Sequence, residues 1–107
     1  CMFNSGEYKT DQVTKMMTYC EKHVWPGRGV SSSFGHWHYT HYYFSQVMYR
    51  MGEEKWSKYY GEIKKQLLRT QSSSGAWLEG YIGPVYTTSI NATIVQLENG
   101  FLPIYQR

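Results

Sequence analysis

The fold is decided by the stretch Gln71-Ser72-Ser73-Ser74-Gly75-Ala76-Trp77, which separates two helical patterns in a chain of 107 residues. Before it, a helical pattern runs from about Lys55 to Thr70, with charged residues on one side and an apolar face formed by Trp56, Tyr59, Tyr60, Ile63, Leu67 and Leu68. After it, a second pattern runs from about Tyr86 to Glu98, carries no charge until its last residue and is ended by Asn99-Gly100. One side of this helix is formed by Tyr86, Ile90, Ile94 and Leu97. The stretch and the residues up to Pro84 are rich in Gly, Pro and Ser, which predicts a loop between two helices.

Two further helices are predicted upstream. The first begins at Thr10 or Asp11, either of which can cap it, and ends before Pro26. Its apolar stripe is formed by Val13, Met16, Met17, Cys20 and Val24. A loop rich in Ser and Gly, residues 30–35, leads to the second helix, at about 39–51. That helix is apolar on nearly every side, which is typical of a buried position. Gly52 follows it and is placed to close it in a left-handed cap.

The order of the four helices indicates a repeat. The first and third have one apolar side, as outer helices do, whereas the second and fourth are apolar or neutral all round, as inner helices are. Tyr39-Thr40 and Tyr86-Thr87 occupy similar places, each opening an inner helix. We therefore predict a single all-α domain over 1–107, built of helical hairpin repeats with one unit at 10–52 and another at 53–107.

The composition excludes several classes of function. The net charge is +3, and no basic stripe is present that would follow a phosphate backbone, so we expect no nucleic-acid partner. No apolar run approaches the length of a transmembrane helix. Aromatic residues make up 18% of the chain, mostly as eleven tyrosines and four tryptophans. Such residues suit half-buried walls of a cavity or an interface.

The two cysteines, Cys1 and Cys20, are too few for a disulfide scaffold. They are compatible with one disulfide bond between them. A buried free thiol at Cys20 is favoured over that bond, because Cys20 lies on the apolar stripe of the first helix.

The spacing of Gln71, Gly75 and Trp77 resembles the Gln/Trp repeat of the prenyltransferase/squalene-cyclase family. In that motif the chain leaves an outer helix, turns at the Gly and stacks the Trp over a neighbouring helix end, while the Gln amide binds backbone groups at a helix terminus. Residues 83–90 are similar to the opening of an inner helix in this family. Residues 41–56 and 102–107 are similar to bacterial members of unassigned activity, notably from planctomycetes.

The resemblance implies that the chain forms part of an α/α toroid, corresponding to the C-terminal repeats of the family. Repeat arrays generally need three or more units, so two units leave an inner face open. We therefore expect a fragment of a toroid or a chain that completes itself by self-association. The partners that follow are an isoprenoid or another apolar small molecule, the remainder of a longer chain, or a second copy.

The acidic chemistry of the family is missing from this chain. Cyclases of the family protonate their substrate with an Asp-rich motif, and protein prenyltransferases bind zinc through Asp, Cys and His. The one aspartate, Asp11, stands in a polar N-terminal stretch without acidic neighbours. We expect no cofactor. Two functions stay open: binding or cyclising an isoprenoid in an aromatic-lined cavity, and non-catalytic interaction with a protein.

The candidate site lies at the starts of the two inner helices. We predict that its wall is formed by Trp37, His38, His41, Tyr42 and Tyr86. In cyclases of this fold, aromatic faces stabilise carbocations by cation–π attraction, and the alternative for these rings is packing between inner helices. Gln71, Gly75 and Trp77 are expected to have a structural role.

The histidines allow three interpretations. His38 and His41 stand three residues apart and can share one helix face. Together with His36 they have the chemistry to bind zinc or copper, but no Cys or carboxylate accompanies them in the sequence, so we expect no metal. The other interpretations are proton transfer by one histidine and hydrogen bonding to tyrosine hydroxyls or loop carbonyls.

Overall fold

The computed structural model describes residues 2, 5–7, 9–27 and 36–101. In this part of the chain every regular element is helical, which confirms the all-α prediction; the toroid and the two repeat units stay predictions. The helices are α1 (Asp11–His23), α2 (His36–Arg50), α3 (Glu53–Thr70) and α4 (Pro84–Gln96), followed by a 3-10 turn at Leu97–Asn99.

The helix ends follow from local chemistry. The Thr10 hydroxyl accepts the Val13 N–H at 3.3 Å and caps α1. Pro84 occupies the first turn of α4, where its missing N–H costs nothing. Gly100 adopts the left-handed conformation that closes the last turn, as predicted. Gly52 was expected to close α2 in the same way, and that prediction is wrong. Its φ of 103° and ψ of 169° are outside the left-handed helical region, because it caps the start of α3.

The central helix is α2, which packs against both α3 and α4. It begins at His36, earlier than predicted, so its first turns include Trp37 and His38. The prediction that it is buried on nearly every side is wrong for one face. Tyr39 and Tyr43 are about half exposed there, at 53% and 51%.

The core is aromatic and Met-based, as the composition predicted. Its buried members are Trp37, Phe44, Met48, Tyr49, Trp56, Tyr59, Tyr60, Ile63, Leu67, Trp77, Ile94 and Leu97. The outer helix α3 supplies five of these from a single face, which confirms its one-sided pattern, although Leu68 was assigned to that face and is exposed. Helix α1 adds Met17, Cys20 and Val24 as half-buried neighbours of the core.

The buried face of α4 differs from the predicted one. We expected Tyr86, Ile90, Ile94 and Leu97 on one side. The structure instead buries Thr87 and Asn91 in line with Ile94, while Val85 is exposed. Polar side chains can occupy this face because both find hydrogen-bond partners inside, with the Glu79 carbonyl oxygen accepting from Thr87 and the His38 ring bonded to Asn91.

Hydrogen bonds from two side chains hold the turn at 71–77, but Gln71 and Trp77 do not make the contacts that were predicted for them. The Gln71 amide donates to the Gly75 carbonyl oxygen at 2.7 Å, across the turn itself. Gly75 has a φ of +84°, which favours glycine. It is the Trp77 indole N–H that reaches the helix terminus, where it donates to the Leu67 carbonyl oxygen at 2.8 Å. The prediction that Gln71 would bind a helix end is therefore wrong.

Three predictions concern residues outside the described ranges: the Cys1 partner of a disulfide bond, the loop 30–35 and the tail 102–107. Cys20 is described and is a free, half-buried thiol. Burial, and then the charge of Glu21, raise its pKa. None of the described helices is long and apolar enough to cross a membrane.

Candidate functional site

The five predicted wall residues separate into a buried group and a surface group. Trp37, His38 and His41 are inside the protein, each with less than 5% of its surface exposed. Tyr42 and Tyr86 are half-buried at the edge of the helix pair. The predicted common wall is therefore divided into a buried polar group and a group of tyrosines nearer the surface.

The polar centre is built around His38. Its Nδ1 lies 3.1 Å from the Asn91 Oδ1 on α4. A carboxamide oxygen only accepts, so Nδ1 carries the proton in this arrangement. On the other side of the ring, Nε2 lies 3.8 Å from the Glu79 Oε1. Both of these atoms are buried, and neither has a hydrogen-bond partner among the described residues.

The loop at 78–83 is held directly against this centre. The Thr87 hydroxyl donates to the Glu79 carbonyl oxygen at 2.8 Å and also lies 3.2 Å from the Gly83 carbonyl oxygen. Gly80 has a φ of +94°, and a Cβ there would stand 3.1 Å from the Thr87 Oγ1 and 3.7 Å from the His38 ring. A glycine is therefore needed to bring the loop backbone so close to the two side chains.

The second histidine is engaged in a neutral pair. The His41 Nδ1 lies 2.9 Å from the Tyr59 hydroxyl of α3. Burial, and then the neighbouring His38, lower the pKa of His41 to about 3. Burial also raises the pKa of Tyr59 well above its usual value. The pair therefore stays uncharged near neutral pH, which fits the interpretation of hydrogen bonding to a tyrosine.

Trp37 packs against both histidines. Its ring centroid lies 4.9 Å from that of His38 and 4.3 Å from that of His41. It is part of the core, so packing between helices describes it better than the wall of an open cavity.

Three residues of this centre were not predicted from the sequence: Glu79, Asn91 and Tyr59. The expectation that no carboxylate accompanies the histidines is wrong for His38, because the loop brings Glu79 to it. No local spacing signals these contacts, since His38 and Asn91 are 53 residues apart and belong to different helices. Within the described ranges, no group of three or more His, Cys, Asp or Glu side chains is placed to hold a metal ion.

The second part of the site is a cluster that we call the tyrosine surface, formed by Tyr39, Tyr42, Tyr43, Tyr81 and Tyr86. The Tyr43 ring meets those of Tyr39 and Tyr42 edge-on, each at 5.0 Å between centroids. A hydrogen bond with Tyr39 is the main reason that the pKa of Tyr43 is raised, and Tyr42 and Tyr86 contribute to it. Burial, and then Tyr39 and Tyr81, raise the pKa of Tyr86. The five tyrosines are thus neighbours.

A cleft of about 220 Å³ lies elsewhere, between the end of α1 and the outer face of α3. Its lining residues are Pro26, Gly27, Glu62, Lys65, Gln66 and Arg69. This lining is polar and charged and includes none of the predicted wall residues, so it is not the aromatic cavity expected from the sequence.

Comparisons of this chain with protein-family models, with curated proteins and with solved structures found no match. The described part of the chain is thus an all-helical unit with a largely buried His/Glu/Asn centre and an exposed tyrosine surface.

Proposed function

We propose that this chain is a non-catalytic helical module that associates with a second copy of itself through the tyrosine surface. The observation that carries the proposal is the clustering of five tyrosines: three from α2, one from α4 and Tyr81 from the loop before α4. Tyr39 and Tyr43 are about half exposed, and Tyr81 is 75% exposed. Nearby in the chain, Ile82 and Val85 are exposed as well.

An exposed surface of this kind is typical of an interface. Its side chains together expose on the order of several hundred Å² of largely apolar area, the size of patch that marks interaction sites on soluble proteins. Tyrosine is enriched in the centres of protein interfaces because it combines a rigid apolar ring with a hydroxyl that both donates and accepts. Covering this surface with a partner therefore lowers the free energy of the chain.

The charge distribution is compatible with a second copy as the partner, because the tyrosine surface itself carries no charged group of α3. Each chain carries a net charge of +3, so two copies repel each other unless their charges stay apart. Helix α3 carries an exposed basic group at Lys58, Lys65 and Arg69, and it contributes none of the five tyrosines. Two copies related by a two-fold axis can meet at the uncharged tyrosines, where each hydroxyl donates to or accepts from its counterpart.

The interior histidines support a non-catalytic role. His38 and His41 are the side chains suited to proton transfer, and both are buried, with His41 held neutral by its surroundings. A catalytic base needs to reach a substrate atom within hydrogen-bond distance, which a closed centre does not offer. The likeness to the terpenoid-cyclase repeats stays a prediction, and it too expects an open face that self-association would cover.

The test is the oligomeric state measured by sedimentation velocity over a range of concentrations. The wild type is expected to form dimers, and the double variant Tyr39→Ser/Tyr43→Ser to weaken dimerisation at least tenfold, with helicity checked by circular dichroism. The matched control is Tyr19→Ser, because Tyr19 is 63% exposed on α1 and lies outside the surface. A wild type that is monomeric at every concentration, or equal weakening by both changes, contradicts the proposal.

An isoprenoid ligand is the second candidate. It is favoured by the position of Tyr42 and Tyr86, two of the predicted wall residues, which both lie beside Tyr43 on the exposed surface. Phenol rings offer an apolar face to a hydrocarbon chain. Farnesol or squalene is expected to raise the melting temperature of the wild type and of Tyr19→Ser but not of Tyr39→Ser/Tyr43→Ser. The absence of any shift in the wild type counts against this candidate.

A further inference from the structure

We propose that a proton on His38 locks the 78–83 loop onto α2 by forming a hydrogen bond to Glu79, and that this lock strengthens self-association as the pH falls. The inference rests on the proposed function, since the locked loop carries part of the tyrosine surface. In this proposal, protonation of the buried His38 regulates association through the tyrosine surface.

The lock follows from two acceptors that face each other. With Nδ1 donating to Asn91, a neutral His38 presents a bare lone pair at Nε2, and the atom in front of it is the Glu79 Oε1, 3.8 Å away. With the Asn91 Oδ1 turned toward the ring, both atoms are buried without a partner in the described structure, as is the Asn91 Nδ2. Burying a polar atom without a hydrogen bond is costly, and two acceptors with no proton between them add repulsion to that cost.

One added proton at Nε2 removes the repulsion between the two acceptors and leaves the bond at Nδ1 unchanged. An imidazolium donates from both nitrogens, so Nδ1–H keeps its bond to Asn91 and Nε2–H donates to the Glu79 carboxylate. A charge-assisted bond of this kind has a length of roughly 2.7–2.9 Å, so it closes the gap by about 1 Å. The side chain that moves is Glu79, because the ring is fixed by Asn91 and by its contact with Trp37.

Other titratable groups around His38 do not replace this proton. From α2, His41 faces it but is held neutral by burial, with a pKa of about 3. From α3, Tyr59 contacts His41 and keeps its proton. From α4, Asn91 and Thr87 are uncharged. In the described part of the chain, the carboxylate that faces the ring is that of Glu79.

The loop connects the lock to the surface. Glu79 and Gly80 lie against α2 and α4 through Thr87 and the His38 ring, and Tyr81 follows immediately as a member of the tyrosine surface. Fixing Glu79 therefore reduces the conformational freedom of Tyr81 before association, so that less entropy is lost when a second copy binds. Because the locked state binds one proton more than the unlocked state, its population increases as the pH falls.

The experiment measures the dimer dissociation constant by sedimentation at pH 8.0 and pH 5.5. The wild type is expected to form the dimer on the order of tenfold more tightly at pH 5.5, because part of the free energy of one charge-assisted hydrogen bond then contributes to association. In Glu79→Gln the amide can donate to a neutral Nε2, so association is expected to be tight at both pH values. His38→Gln is expected to lose the pH dependence. His23→Gln, at an exposed histidine of α1, should keep it.

A second measurement separates the lock from the interface. Amide hydrogen exchange of residues 79–83, corrected for the intrinsic effect of pH, is followed in the Tyr39→Ser/Tyr43→Ser variant. Protection that increases at pH 5.5 supports the lock even if no dimer forms at any pH, an outcome that overturns only the proposed function. A dimer whose dissociation constant and loop protection are the same at both pH values overturns the lock and leaves the proposed function standing.

Discussion

The Trp77 indole N–H donates to the Leu67 carbonyl oxygen at 2.8 Å, and this single bond joins the start of the 78–83 loop to the last turn of α3. The same carbonyl oxygen also accepts the Gln71 backbone N–H, so this carbonyl group at the end of α3 has two hydrogen-bond donors. On its other side, the Trp77 backbone N–H donates to the Thr88 hydroxyl of α4 at 3.0 Å. Trp77 therefore sets the position of α4 relative to α3.

Replacing Trp77 by alanine is expected to destabilise the fold by about 3–5 kcal/mol, the usual cost of removing a buried tryptophan side chain. The loss combines a large buried ring with the hydrogen bond to Leu67. Urea unfolding followed by circular dichroism measures it. The neighbouring Leu78→Ala serves as the control, because Leu78 is 62% exposed and should change the free energy of unfolding little. Similar losses for the two variants would contradict the assigned role of Trp77.

Two glycines make a matched pair for the turn at 71–77. Gly75 has a φ of +84°, so Gly75→Ala is expected to cost about 1–2 kcal/mol although no atom would obstruct the new Cβ. Gly61 lies exposed inside α3 and also has free space around it, so Gly61→Ala should stabilise by about 0.5–1 kcal/mol. Thermal and urea unfolding compare the two. A change of the same sign at both positions would exclude backbone conformation as the cause.

The helices were predictable from the sequence because their signals are local. Thr10 caps α1 and Gly100 closes the last turn, and each acts within four residues of its own position. Pro84 was assigned to the loop, whereas it opens α4, which therefore begins two residues earlier than predicted. The apolar face of α3 was readable for the same reason, since Trp56, Ile63 and the residues between them recur at helical spacing.

The candidate site was only half predictable, because its contacts join distant parts of the chain. His38 and His41 were identified, yet their partners Asn91, Glu79 and Tyr59 lie on other elements. Hydrophobicity alone also misplaced the buried face of α4. The polar Asn91 is buried there because its hydrogen bond to His38 offsets the cost of removing it from water, and that bond is visible only in three dimensions.

The lowered pKa of His41 predicts a pH-dependent stability. The folded pKa is about 3 and the unfolded value is about 6.5, so between these values the unfolded chain binds a proton that the folded chain does not. Stability from this residue is therefore complete above about pH 6.5 and is lost as the pH falls toward 3. The expected loss between pH 7 and pH 4 is on the order of a few kcal/mol.

Urea unfolding at several pH values measures this effect as the difference between the wild type and His41→Gln. The difference is needed because other titratable groups also change the stability with pH, and they do so in both proteins. Glutamine keeps a hydrogen-bonding group toward Tyr59 and does not titrate, so the variant should lose stability less steeply below pH 6.5. Equal slopes for both proteins would show that His41 does not resist protonation in the folded state.

Helix α1 is expected to be the first part of the described structure to open. It is attached by half-buried side chains and by the Trp25 ring beyond its end, which meets Tyr59 edge-on at 5.8 Å between centroids. The ion pair between Lys55 and Glu21 also joins α1 to α3, but both partners are partly exposed, so it contributes only about 0–1 kcal/mol. Amide exchange in α1 should therefore be faster than in α2 or α3, because few buried contacts resist its local opening.

Trp25→Ala is expected to speed exchange in α1 at least tenfold without a comparable change in α4, whereas Lys55→Met should alter it by less than about fivefold. If α1 amides in the wild type exchange at the same rate as those of α2, the helix opens only with the whole fold and its docking is stronger than these contacts indicate.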